Sequence, residues 1–157
     1  MKKVFEEINL SIFENKDTLN SAIFDLENEK IKFDVREKLL EIAEDFYEYL
    51  KINVQYEDIW LVGSNANYNW SEYSDVDVHL SIPFNEISDN TELIREYFKT
   101  KTINWNDSHN ITIDIHKVET YVQDSEEEVQ SGGIYSILYD QWIRYPQKMD
   151  VEIDPNA

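Results

Sequence analysis

Two pairs of residues carry the chemistry of this sequence. Gly63-Ser64 closes an apolar run, Ile59 to Val62, and Asp75 and Asp77 flank Val76 at the head of a second run that continues through Val78 and Leu80. A Gly-Ser turn brings bare backbone and a hydroxyl up to an anion, because glycine has no side chain to hold the ligand away. On an extended strand Asp75 and Asp77 project from one face, about 7 Å apart. Paired hard oxygens suit Mg2+ or Mn2+. Magnesium is held by one or two carboxylates plus substrate phosphates more often than by an all-protein cage, so a nucleoside triphosphate is the expected third party.

Such a site needs a sheet to hold the acids and helices to cover the other side. Asp34 and Glu37 form a capping-box pattern, and Val35, Leu39, Ile42, Ala43, Phe46 and Leu50 recur at helical spacing, which predicts an amphipathic helix over 34–51. A short buried strand follows at 58–62, a helical turn at 65–70 and a strand at 75–82. A second helix is expected over 91–99 with Ser88 or Asp89 as its cap, then a polar loop. Residues 110–118 alternate, with Ile111, Ile113 and Ile115 on one side and Thr112, Asp114 and His116 on the other. Read as a third strand, this segment sets Asp114 beside Asp75 and Asp77, three carboxylates on one face around a pair of ions. The run 124–128 reads as a solvated acidic loop, Gly132-Gly133 as a turn, and 134–138 with 141–144 as a small hairpin. Residues 1–33 read as a loosely organised arm and 147–157 as a tail.

The chain has 157 residues, which fits one domain, 1–157. It has no cysteine, no run near the ~20 apolar residues of a membrane span and no signal-like N-terminus, so a cytoplasmic protein without a membrane partner is expected. The net charge of −19 repels polyanions and disfavours binding to duplex nucleic acid, whereas a small nucleotide escorted by magnesium is less affected.

Gly63-Ser64, Asp75-x-Asp77 and Asp114 together resemble the signature of the nucleotidyltransferase superfamily that includes DNA polymerase beta. Residues 62–70, 73–79 and 121–124 are similar to small predicted nucleotidyltransferases encoded by tailed bacteriophages. The resemblance implies an α+β fold, a mixed sheet with helices packed on one side. It also implies transfer of a nucleoside monophosphate from a triphosphate to an unidentified hydroxyl acceptor, with release of pyrophosphate, in the host cytoplasm if the chain is phage-encoded. Asp75 and Asp77 would hold both ions, Asp114 the ion that activates the nucleophile, and Gly63 and Ser64 the phosphates. Larger members append a helical domain, and the stretch after residue 118 is too short to be one, so either the N-terminal segment or a protein partner is expected to supply that wall. The rival reading is a non-catalytic acidic interaction protein, a modulator of a host factor on the same scaffold.

Several other residues admit two readings. His79 and His116 each follow an expected ligand by two positions, as proton shuttles or as orienting and structural groups. Tyr68, Trp70 and Tyr73 suit stacking on a base or plain packing. Arg95, Lys99 and Lys101 suit a triphosphate or a helix surface, and Lys117 is expected on the face opposite Asp114 and His116.

Overall fold

Alternating burial along two central strands sets the architecture. The computed structural model describes residues 15–148. In chain order these form β1 (Phe24–Asp25), β2 (Lys30–Ile31), α1 (Phe33–Leu50), β3 (Asp58–Val62), β4 (Val76–Ile82), α2 (Thr91–Ser108), β5 (Thr112–Ile113), β6 (His116–Asp124), β7 (Ile134–Ser136) and β8 (Gln141–Arg144). The strands β3 to β8 make one six-stranded sheet in the order β5-β6-β4-β3-β7-β8, while β1 and β2 pair separately as a hairpin. All neighbours in the large sheet are antiparallel except β4 and β6, which run parallel and are joined through α2. The fold is therefore α+β on a mixed sheet.

One face of that sheet is dry. Ile59 and Leu61 of β3, Val76, Val78 and Leu80 of β4 and Val118 of β6 are buried, and their partners in register lie on the same side. Here α1 buries Val35, Leu39, Ile42, Ala43, Phe46 and Leu50, the stripe read from the sequence. Arg36 fastens this helix to the β7–β8 turn by donating to the carbonyls of Ile137 (2.8 Å) and Leu138 (2.9 Å). The expected capping box does not form. The cap position falls on Lys32 without a side-chain bond, and Asp34 accepts from the next amide, that of Val35.

The second helix corrects the expectation of a polar loop after Lys99, since α2 runs on to Ser108. Its inner stripe is Phe98, Thr102, Trp105 and Asn106, and two polar members disguise the helical period. Asn106 is buried because it stands in for a strand neighbour. Its side chain accepts from the Thr120 amide (3.0 Å) and donates to the Thr120 carbonyl (2.9 Å), beyond the short stretch of β6 that β5 covers. At the other end Asn90, not Ser88 or Asp89, is the cap, accepting from Leu93 at 3.2 Å.

Two further expectations are corrected. Residues 15–31 are not a loose arm, because Leu19, Ile23, Phe24 and Ile31 belong to the core, with Phe24 stacked on Trp142 at 5.4 Å. Asp124 is not part of a solvated loop. It ends β6 buried, accepting from the amides of Phe84 and Glu126. Most of the expected tail, 149–157, and the first part of the arm, 1–14, lie outside the described residues. Among the described residues no helix is long and apolar enough to cross a membrane.

Candidate active site

The opposite face of the sheet is open and polar at its centre. Because β4 and β6 are parallel, Asp77 pairs with Glu119, His79 with Tyr121 and Ser81 with Gln123, and paired side chains share a face. Asp75, one residue before β4, joins this row by its two-residue offset from Asp77. Lys117 lies on it too, its ammonium 3.1 Å from Glu119 Oε1. Further along, His79 Nδ1 is 3.1 Å from Gln123 Oε1, and its ring is 5.1 Å from that of Tyr121.

The third carboxylate is thus Glu119 rather than Asp114. The expected continuous strand over 110–118 is broken by a hairpin turn at Asp114-Ile115, between β5 and β6. Asp114 adopts a left-handed φ of 53° and is exposed, a conformation that Asp tolerates better than most residues. The turn reverses the chain, so Ile115 is 62% exposed instead of facing the core with Ile113. It also sends His116 to the dry side and Lys117 to the side of Asp77. The alternation in the sequence is real, but the hairpin shifts its phase.

Electrostatics tie the three acids together. Asp77 is pushed up to about 6, first by burial and then by the charges of Asp75 and Glu119. Asp75 is raised by partial desolvation and by Glu119, against the opposing pull of Lys117. Burial, followed by the charges of Asp77, Glu119 and Asp75, pushes the Tyr121 hydroxyl up to about 12. Burial lowers His79, partly offset by its bond to Gln123. Ionised groups repel each other here, which is the condition that a bound cation relieves.

Gly63 explains why the Gly-Ser turn sits where it does. It follows β3 directly at φ 81°, and a β-carbon there would stand 2.5 Å from Asp77 Oδ2. The backbone of the turn is therefore packed against the acid, an approach that only glycine permits. Ser64 starts the next turn, Ser64–Ala66, which is the expected helical turn in shortened form. Asn67 closes the corner by donating to the Gly63 carbonyl (2.6 Å) and accepting from the Gly133 amide (2.7 Å). At Gly133 any β-carbon would collide with the Ala66 carbonyl, so the loop before β7 presses onto this turn.

Between these loops lies a cleft of about 540 Å³, with Gly63, Ser64, Tyr68, Asn69, Arg144 and Tyr145 among its walls. The Lys148 ammonium is 5.4 Å from the Tyr68 ring. Among the described residues Asn69 Oδ1 is buried without a hydrogen-bond partner. Among the described residues Arg144 is the cation that lines this cleft. Of the basic residues expected for a phosphate, Arg95 instead pairs with Glu127 and Lys101 lies over Tyr49 and Tyr97. Charge counting cannot separate these cases, because only the β7–β8 hairpin brings Arg144 back to the turn.

A buried polar network behind the sheet fixes the loop that carries Asp75. Asn20 donates to Asn65 Oδ1 (3.0 Å) and lies 2.9 Å from His116 Nε2. His116 Nδ1 is 2.7 Å from the Ser74 carbonyl, and Asn65 donates to the Asp75 carbonyl at 2.8 Å. The Asn20 amide is oriented by its own oxygen, which accepts from Ala22, so it donates to Nε2 and leaves Nδ1 as the protonated nitrogen. His116 is thus a structural group that orients the Asp75 loop. Trp70 donates to the Thr18 carbonyl (2.9 Å), and Tyr73 is exposed; neither lines the cleft, whereas Tyr68 does.

As a donor set Asp75, Asp77 and Glu119 offer only hard oxygens, which fits a divalent ion completed by substrate phosphates. Among the described residues, no group of three or more His, Asp or Glu side chains converges on one ion position as it stands, and Glu119 is engaged with Lys117. Comparison of the chain with protein-family models, with curated proteins and with solved structures gives no match.

Proposed function

We propose that this protein is a metal-dependent nucleotidyltransferase that moves a nucleoside monophosphate from a nucleoside triphosphate to a hydroxyl acceptor and releases pyrophosphate. The observation that carries the reading is the seating of Asp77 against Gly63, with Asp75 and Glu119 on the same open face and a cleft beside them. Mg2+ or Mn2+ would be held by Asp75, Asp77 and Glu119, where it would neutralise phosphate charge and lower the proton affinity of the attacking hydroxyl. Gly63 and Ser64 lie where bare backbone and a hydroxyl meet phosphate, Arg144 adds a cation, and Tyr68 and Tyr145 offer faces for a base. An antiparallel β3–β4 pair followed by a parallel β4–β6 pair, with the helices on one side, supports a nucleotidyltransferase-like scaffold. Its open cleft leaves room for a partner protein to supply a further wall.

The test is incubation with each triphosphate labelled at the α-phosphate, with Mg2+ or Mn2+, and with candidate protein, metabolite and RNA acceptors. Label should transfer with release of pyrophosphate, and Asp77→Asn and Glu119→Gln should lower it at least 10- to 100-fold. Absence of transfer, together with absence of any nucleotide-dependent rise in melting temperature, would refute the reading.

The net charge of −19 favours one alternative, a non-catalytic acidic interaction protein. Its partner binding would tolerate Asp77→Asn and weaken steeply with salt, because the attraction would come from dispersed charge.

A further inference from the structure

Strand register places Lys117 on the face that carries Asp75, Asp77 and Glu119. Its ammonium bonds Glu119 Oε1 at 3.1 Å, and its charge acts on Asp75 as well. The hairpin turn at Asp114-Ile115 puts it there, since that turn decides which of His116 and Lys117 faces the acids. Three carboxylates on one open face repel one another. A lysine two residues from Glu119 on the same strand supplies a tethered positive charge that meets part of that repulsion.

We infer that Lys117 is a resident counter-ion: in the ion-free protein its ammonium occupies part of the carboxylate cluster, and an incoming divalent ion must displace it from Glu119. This rests on the metal reading above and concerns the chain's own residue, not the ion's geometry. Lys117 is then a positioning residue that sets ion affinity. An ammonium and a divalent cation compete for the same oxygens, so removing the ammonium raises affinity for the ion while leaving the ion-free cluster uncompensated.

The experiment measures Mn2+ binding by electron paramagnetic resonance on the full chain, together with ion-free melting temperature, for wild type, Lys117→Met and Lys117→Arg. Methionine keeps most of the apolar stem and removes the charge. Lys117→Met should bind Mn2+ about tenfold more tightly and melt lower in chelator, and Lys117→Arg should stay near wild type on both counts. Wild type that binds Mn2+ with an affinity unchanged or weakened in Lys117→Met overturns the inference and leaves the metal reading standing. Loss of triphosphate affinity in Lys117→Met at unchanged Mn2+ affinity overturns it in favour of a direct phosphate contact. No Mn2+ binding by wild type or either variant, with or without nucleotide, overturns the metal reading and this inference together. Should Lys117→Met fold poorly, Glu119→Gln removes the bond from the other side. It should leave the ion-free melting temperature at or above that of wild type, and a marked fall would count against a repulsive cluster.

Discussion

Asp77→Asn should stabilise the ion-free protein at neutral and higher pH, and not at acid pH. The folded carboxyl ionises at about 6 against a reference of 3.8, and about 1.36 kcal/mol per unit makes the ionised form cost the fold about 3 kcal/mol. A direct Coulomb count agrees in order of magnitude. Asp75 at a strand spacing of about 7 Å contributes roughly 2 kcal/mol at an effective dielectric of 20, and well under 1 kcal/mol in bulk water. Asp77 is half-buried, so water screens part of this and ~1–3 kcal/mol is the working range. The sign follows from proton counts. Between about pH 4 and 6 the folded state binds more protons than the unfolded state, so wild-type stability falls as pH rises through that window. The asparagine variant has nothing to titrate at 77. Its advantage should open between pH 4 and 6 and stay constant above about pH 7. For a domain of this size the gap is about 2–4 °C in melting temperature per kcal/mol. Melts by circular dichroism in chelator, at half-unit steps from pH 4 to 8, read it directly. Adding Mg2+ should then raise the wild type more than the variant. A gap that is independent of pH, or a variant less stable than wild type at pH 8, would refute the repulsive cluster.

Three more outcomes are expected. Asp114→Asn should leave nucleotide transfer unchanged while Glu119→Gln lowers it at least 10- to 100-fold, read from initial rates with labelled triphosphate; equal losses in both would restore Asp114 to the site. Gly63→Ala should destabilise by about 1–3 kcal/mol in urea titration, since it forces a left-handed φ on alanine and drives its methyl into Asp77; a change of a few tenths would mean that the turn relaxes freely. Asn20→Ala should cost about 1–3 kcal/mol and slow transfer as well, because it leaves His116 Nε2 and Asn65 Oδ1 without their donor and loosens the loop holding Asp75; a stable variant with full activity would show that the network does not orient that loop.

The sequence by itself determined the parts of this protein whose signal is local. The helical stripe from Val35 to Leu50, the strand at 58–62, the Gly63-Ser64 turn and the placement of Asp77 and His79 on one face all follow from periods of 3.6 and 2 that short windows display. The β7–β8 hairpin was legible for the same reason. Tertiary structure alone decided the identity of the third acid, because it turns on register. A hairpin at Asp114-Ile115 shifts the phase of a strand by reversing the chain, and an alternating segment reads the same whether it runs straight or folds back on itself. It also decided that Asn106, Asn20, Asn65 and Asp124 go inside. Each is a polar residue, and each is buried because a backbone group or another side chain some distance along the chain completes its hydrogen bonds. Lys117 belongs with them: its charge is plain in the sequence, but the pairing of β4 with β6 places it among the acids.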